Sequence, residues 1–221
     1  MTTTQKVPGE DMSCALALVN TRHMRAGHEV DQVSDPASAA GWLAARGLIP
    51  PGFPAQPGDA VRLVRLREAI RELFTASASG MRPPERDIAT LNDTLAGAWI
   101  ISSLTWDDTG PHRGERLPSE TADPVSTALA RIAADGLSVL TAPDGPRPAA
   151  CQAHGCIRWF LRTHAARQWC STRCGDRVRA ARHYARQQAR LRIRARCPGK
   201  PFRAFGLVTS QARASGNVTS T

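Results

Sequence analysis

Four cysteines, Cys151, Cys156, Cys170 and Cys174, lie within 24 residues in the pattern C-x4-C-x13-C-x3-C. The chemistry this spacing offers is tetrahedral metal ligation. Each short pair supplies two thiolates from one tight turn, and the loop between the pairs swings the second round to close the shell. Four thiolates select Zn²⁺ in a closed structural site with no open position for water. His154 and His164 are substitute ligands by position, but four cysteines already fill the shell. The competing reading is four buried or redox-active thiols. Cys14 and Cys197 lie far from the cluster and read as plain thiols.

The elements that must hold these thiolates follow from their neighbours. Ser171 or Thr172 can cap a helix, which puts Cys170 just before its first turn and Cys174 within it. The partial positive charge of a helix N-terminus lowers thiol pKa and favours ligation. Arg158, Arg173 and Arg177 can offset the net negative charge of four thiolates on one Zn²⁺, and Trp159, Phe160 and Trp169 can wrap the small core. In such modules metal affinity becomes folding free energy, roughly 10–16 kcal/mol.

Beyond Cys174 the chain is studded with arginine. Arg179, Arg182, Arg186, Arg190 and Arg194 recur at steps of three and four and share one helical face, with Arg173 and Arg177 just upstream. Val178, Ala181, Tyr184, Gln188 and Leu191 form a thin opposite face suited to packing on the finger. A row of arginines on one face repels itself unless an anion lies alongside, and nucleic-acid phosphates meet that need. The competing readings are a solvated basic helix, one that pairs with the acidic first domain, and one that faces an acidic protein or membrane surface.

The charge of the whole chain agrees. Residues 1–150 carry 14 Lys and Arg against 18 Asp and Glu, whereas residues 151–221 carry 15 against the single acid Asp176. Coding bias explains arginine over lysine, but not the loss of acids after residue 150. An acidic half joined to a basic one is the footprint of a nucleic-acid binder. No apolar run is long enough to span a membrane, and the N-terminus lacks a signal-peptide pattern. A cytoplasmic, nucleoid-associated protein is expected, in which clustered cysteines favour metal over disulfides.

The expected fold class is α+β, mainly helical. An N-terminal helical domain with a small sheet precedes a small zinc-stabilised finger with a C-terminal basic helix. Residues 1–12 read as a disordered N-terminus, 13–141 as the first domain, 142–149 as a linker, 150–196 as the finger with its helix, and 197–221 as a basic flexible tail. The linker rests on Pro143, Gly145, Pro146 and Pro148, which break regular structure. Such a linker implies that loss of Cys170 or Cys174 unfolds 151–196 and leaves the first domain folded. Within that domain 14–20 fits a strand or a helix equally. Helices are expected over 36–46 (capped by Asp35), 59–77, 84–96 and from Pro124 towards Leu140. A strand is expected over 99–106 and a polar loop over 107–122.

These residues resemble a known family. Cys151-x4-Cys156, Trp159-Phe160, Arg167-Gln168-Trp169-Cys170-Ser171 and Cys174-Gly175-Asp176-Arg177 are similar to the CGNR-type zinc finger. The resemblance implies zinc on Cys151, Cys156, Cys170 and Cys174. Asp176 stands where that motif has Asn, Arg162 where it has Asp, and Thr163-His164-Ala165 where it has Ser-Arg-Asn. Upstream, Leu16 to Arg22, Trp42-Leu43 to Gly47-Leu48, Leu66 to Phe74, Leu91-Asn92 and Trp106 are similar to the ABATE-type domain that precedes such fingers. The pair implies a stress-induced transcription regulator with double-stranded DNA as partner.

The first domain is then expected to sense a ligand or to form a homodimer. Asn20, Thr21, Arg22 and Arg25 make a polar cluster suited to a small anionic ligand, unless they satisfy local backbone and acids. No phosphate loop and no Ser/His/Asp or Cys/His set stands out, and His23, His28 and His112 read as exposed. The reading is therefore a non-enzyme, with one structural Zn²⁺ as cofactor and no membrane partner. The alternatives are an RNA-binding or protein-interaction finger and, more remotely, an enzyme with an unrecognised site in the first domain.

Overall fold

The computed structural model describes residues 7–54, 56–97, 101–107, 110–116 and 123–196, with 101–107, 110–116 and 194–196 described in backbone only. The elements run α1 Cys14–Val19, β1 Arg22–Arg25, β2 His28–Asp31, α2 Pro36–Ala44, α3 Pro57–Ser79, α4 Glu85–Ala96, β3 Ile101–Asp107, β4 Gly110–Arg116, α5 Pro124–Thr141, β5 Arg147–Ala150, β6 Trp159–Arg162 and α6 Thr172–Arg196. Three two-stranded antiparallel sheets, β1–β2, β3–β4 and β5–β6, accompany the helices. The chain is mainly helical, with small antiparallel sheets and a cysteine cluster ahead of its last helix.

The core is built around α3, a 23-residue helix whose Ala60, Leu63, Leu66, Ile70, Leu73 and Phe74 are buried. Pro57 suits its first turn, Asp59 Oδ2 accepts from the Gln56 backbone N–H at 2.8 Å, and Gly80 ends it in the left-handed region. Helix α2 begins as the sequence implies: Asp35 caps Ser38 N–H at 2.9 Å and Ser38 reaches back to Asp35.

Segment 14–20, open between strand and helix in sequence, is α1. Ser13 is its N-cap, with Oγ accepting from Leu16 N–H at 3.1 Å, and Asp135 Oδ2 of α5 accepts from Ala15 N–H at 2.8 Å and from the Ser13 hydroxyl at 2.6 Å. A carboxylate at this N-terminus satisfies donors that a helix leaves open. Helix α1 then buries Ala15, Leu16, Ala17, Leu18 and Val19.

Arg67 of α3 ties the β1–β2 hairpin to this core. Its guanidinium is almost fully buried and donates to both carboxylate oxygens of Asp31 at 2.6 and 2.8 Å, to Thr21 Oγ1 at 3.1 Å and to Glu68 at 2.9 Å. A buried guanidinium is tolerable because a bidentate carboxylate neutralises it.

Several expectations are corrected. Residues 7–12, read as disordered, form turns, and Val7 is buried. Gly9 has φ +94° and a Cβ there would lie 2.7 Å from Leu161 Cγ, so only glycine lets this segment press against β6. Leu161 N–H donates to Pro8 C=O at 3.1 Å, which holds the contact. The expected polar loop 107–122 contains β4, paired with β3 from Ile101↔Arg116 to Asp107↔Gly110. That strand is Gly-Pro-His-Arg-Gly-Glu-Arg and carries no β-branched residue, so its pairing was invisible to pattern. Arg147–Ala150, within and just past the expected linker, form β5. His23 is 5% exposed rather than solvated, whereas His28 is exposed. The readings on 1–6, Trp99, 117–122, Cys197 and the 197–221 tail lie outside the described residues, as do the side chains of Trp106 and His112.

Residues 1–180 form one compact unit, and a second begins at Ala181. Among the described residues no helix is long and apolar enough to cross a membrane.

Candidate metal centre and basic helix

Strand β5 delivers Cys151, whose N–H donates to Arg158 C=O at 2.9 Å as the hairpin continues. Cys156 follows one turn later, with its N–H on Ala153 C=O at 2.9 Å and Gly155 at φ +69° making the tight bend. The second pair sits where α6 starts. Ser171 Oγ accepts from Cys174 N–H at 3.2 Å, which caps the helix and places Cys174 in its first turn. Gln152 N–H donates to Gln168 C=O at 3.0 Å, and Cys170 N–H points at Cys151 Sγ at 3.4 Å. These two contacts clasp the loops together.

All four Sγ atoms lie within 4.8 Å of one another. Cys156 and Cys170 are 3.8 Å apart, and Cys170 and Cys174 are 3.7 Å apart. Tetrahedral zinc with bonds of about 2.3 Å requires sulfurs about 3.8 Å apart, far from the ~2.05 Å of a disulfide. The donor set therefore fits zinc in spacing and in chemistry.

The electrostatics fit as well. Hydrogen bonds from Cys156 and Cys170 pull the Cys151 thiol down to about 2, against burial. As donors to the Cys151 sulfur, Cys156 and Cys170 are pushed upward, Cys156 to about 11, with burial and then the neighbouring thiolate charge adding to both. Four thiolates cannot coexist around one point without a cation, and a divalent ion removes that conflict. Arg177 Nη2 lies 3.7 Å from Cys174 Sγ and offsets part of the thiolate charge. His154 and His164 are exposed and stand outside the sulfur set. Cys14 is half-buried, and its thiol is raised by burial and by Asp135, as suits an inert thiol.

The finger is not packed as a separate body. Phe160 joins Val7, Ala149, Ala153 and three of the cysteines in a small cluster, with Trp169 and Val178 against it. Trp159 and Leu161 turn the other way, into the large core, where Trp159 meets Phe74 at 5.8 Å between ring centroids. The β5–β6 hairpin thus shares side chains with the helical core, which bears on the expected independence of the first domain from Cys170 and Cys174.

Asn20 makes the same join in polar groups. Its Oδ1 accepts from Trp159 N–H at 2.8 Å, and its Nδ2 donates to Trp159 C=O at 2.9 Å and to Glu10 at 2.7 Å. Its amide thus pairs with β6 as another strand would. Thr21 donates to Leu18 C=O and accepts from Arg67. Arg22 pairs with Glu29 at 2.6 Å and with Glu68 at 3.4 Å. The structure therefore places Asn20, Thr21 and Arg22 in internal partnerships, and Arg25, at the end of β1, is partnered too. Arg71 was missed in sequence. Its guanidinium donates to Val19 C=O and Ile157 C=O, bridging α1 and the finger loop.

The model of a family described as "Putative stress-induced transcription regulator" (ABATE) matches residues 13–143. The chain belongs to the ABATE family. A second family model, the CGNR zinc finger, matches residues 147–187 and takes in all four cysteines. No curated protein matches the chain. As an ABATE protein with a CGNR finger, the chain carries one structural zinc on its four-cysteine cluster. The zinc supplies folding free energy and no open coordination position.

The signature of that finger reads Cys174-Gly175-Asp176-Arg177 in this ABATE protein. A Cβ at Gly175 would lie 3.1 Å from Trp169 Cε3 and from Arg179 Nη1, so the glycine makes room for both groups. Asp176, in place of Asn, forms an ion pair with Arg179 one turn on, and the Arg179 guanidinium lies 5.9 Å from the Trp169 ring centroid. On α6, Arg173, Arg177, Arg179, Arg182, Arg186 and Arg190 are exposed, as is Arg192, and the side chain of Arg194 lies outside the described residues. His183 and Gln187 pair at 3.0 Å on the arginine face. The expected packing of the opposite face stops at Val178, because Tyr184 and Leu191 are 68% and 63% exposed.

Proposed function

We propose that this chain is a transcription regulator that binds double-stranded DNA through α6, under the control of a small ligand held by the ABATE domain. The observation that carries the reading is the single 25-residue helix Thr172–Arg196, which leaves the four-cysteine centre with exposed arginines in helical register and Asp176 as its one acid. Such a helix has no reason to keep its charges together without a polyanion. Arg182, Arg186, Arg190 and Arg194 supply base contacts and Arg173 and Arg177 phosphate contacts, with the zinc centre setting where the helix starts. His183 and Gln187 are base-reading side chain types on the same face.

Salt titration of duplex binding tests this. With about five phosphates neutralised, affinity falls roughly 500-fold between about 50 and 200 mM salt. A flat response removes the electrostatic reading. Competition by structured or single-stranded RNA that outweighs duplex DNA replaces the DNA partner with RNA, and no retention on either leaves a protein-interaction finger. In this reading the protein has no catalytic site and works on the nucleoid.

A further inference from the structure

A cavity of about 220 Å³ opens between α3, α4 and α5, lined by none of Asn20, Thr21, Arg22 and Arg25. Among the described residues, two arginines and one acid line it. Arg62 is already committed, because its guanidinium donates to Asp123 at 3.0 Å and to the Ser126 hydroxyl. Arg65 and Asp93 line the same cavity and have no partner among the described residues. The mouth of the cavity thus carries one exposed cation and one exposed anion that no described residue pairs.

Its hydroxyls are polarised in one sense. Thr90 Oγ1 donates its proton to Arg86 C=O at 2.8 Å, and Thr94 Oγ1 donates to Thr90 C=O at 2.7 Å. Both oxygens can then only accept from a ligand. They sit on the same helix as Asp93, so α4 is an acceptor wall that suits an ammonium group, while Arg65 on α3 suits a carboxylate. Leu66 and Leu129, both buried, supply an apolar floor. A cavity of about 150 Å³ takes benzene, so this one takes a molecule of about nine non-hydrogen atoms.

We propose that this cavity binds a free α-amino acid with a short aliphatic side chain, its carboxylate on Arg65, its ammonium on Asp93 and the Thr90 and Thr94 hydroxyls, and its side chain on Leu66 and Leu129. The proposal deepens the reading of the ABATE domain as a sensor and moves the ligand away from Asn20, Thr21, Arg22 and Arg25. A zwitterion leaves no unpaired charge in the site, whereas a simple anion leaves Asp93 unpaired and a simple amine leaves Arg65 unpaired.

The test is thermal unfolding and amide NMR of the zinc-loaded full chain with L-valine, L-leucine and L-isoleucine. 4-Methylpentanoate and isoamylamine serve as the deaminated and decarboxylated controls. At least one amino acid is expected to raise Tm by about 5 °C at saturating concentration, with neither control acting. Arg65→Ala and Asp93→Ala, both at exposed positions, each weaken binding tenfold or more. No response to any of the three amino acids at about 10 mM overturns the site, as does a response that survives both substitutions or is matched by either control. Duplex-DNA affinity measured on the same preparations separates the two readings. DNA binding without amino-acid binding sinks the site alone, and amino-acid binding without DNA binding sinks the regulator alone.

Discussion

Asp176 is the one acid in a basic stretch, and its carboxylate meets Arg179 rather than open solvent. Both side chains are more than half exposed, so the ion pair adds little to stability. Its effect is on charge presentation: Arg179 is held beside Trp169 and Asp176. Asp176→Asn is expected to leave Tm within about 1 °C and to steepen the salt dependence of DNA binding by about one phosphate equivalent. An unchanged slope assigns Arg179 to the finger and not to DNA. Asn20 is the opposite kind of residue, 5% exposed and bonded to both backbone groups of Trp159. Asn20→Ala leaves a buried donor and a buried acceptor unpaired and is expected to cost about 2–4 kcal/mol in urea unfolding.

Among elements, the β1–β2 hairpin depends on the Asp31–Arg67 pair. Burial alone would raise the Asp31 carboxyl, but hydrogen bonds and charge from Arg67 outweigh it and hold it below the ordinary carboxylate range. A depressed carboxylate stabilises the fold above its unfolded pKa of about 3.9, and that stability disappears as pH falls through the lower folded value. Urea stability measured from pH 6 down to pH 2 is expected to fall in the wild type, and less steeply in Asp31→Asn. At pH 7 that substitution is expected to cost about 2–3 kcal/mol, since it leaves Arg67 buried with Glu68 as its remaining carboxylate. Helix α1 draws on near and distant groups. Its N-cap Ser13 is local and is a signal in the sequence, while Asp135, 120 residues away, adds an acceptor for Ala15 N–H that only the fold supplies.

Among the described residues of 7–180, the finger and the helical core share packed side chains and hydrogen bonds. Trp159 and Leu161 belong to the large core, Arg71 bonds a finger-loop carbonyl, and Gly9 admits the N-terminal segment against β6. Zinc binding free energy is then expected to support the ABATE domain as well. A strong chelator, or Cys170→Ser, should lower the melting temperature monitored by far-UV circular dichroism of the whole helical core and change Trp159 fluorescence in the same transition. Two separate transitions, with the first unmoved, would show a finger that folds independently. A single transition would reverse the expectation drawn from the Pro-rich stretch at 143–148. Prolines stop helices locally, but they do not prevent the next strand from packing on the preceding helices.

The metal centre was legible in the sequence because ligation is a local property: two cysteine pairs, a Ser171 cap and a loop of suitable length determine it almost without help from the rest of the chain. The same holds for the Asp35-Pro36 start of α2, the apolar register of α3 and the arginine periodicity of α6, all set within one or two helical turns. The tertiary structure decided what depends on groups remote in sequence. It engaged Asn20 with Trp159 across 139 residues, brought Asp135 to the start of α1, paired β3 with a strand of weak propensity, and left Arg65 and Asp93 without a partner among the described residues beside one cavity. Periodicity reports which face of an element is apolar, and only packing reports which polar groups find partners.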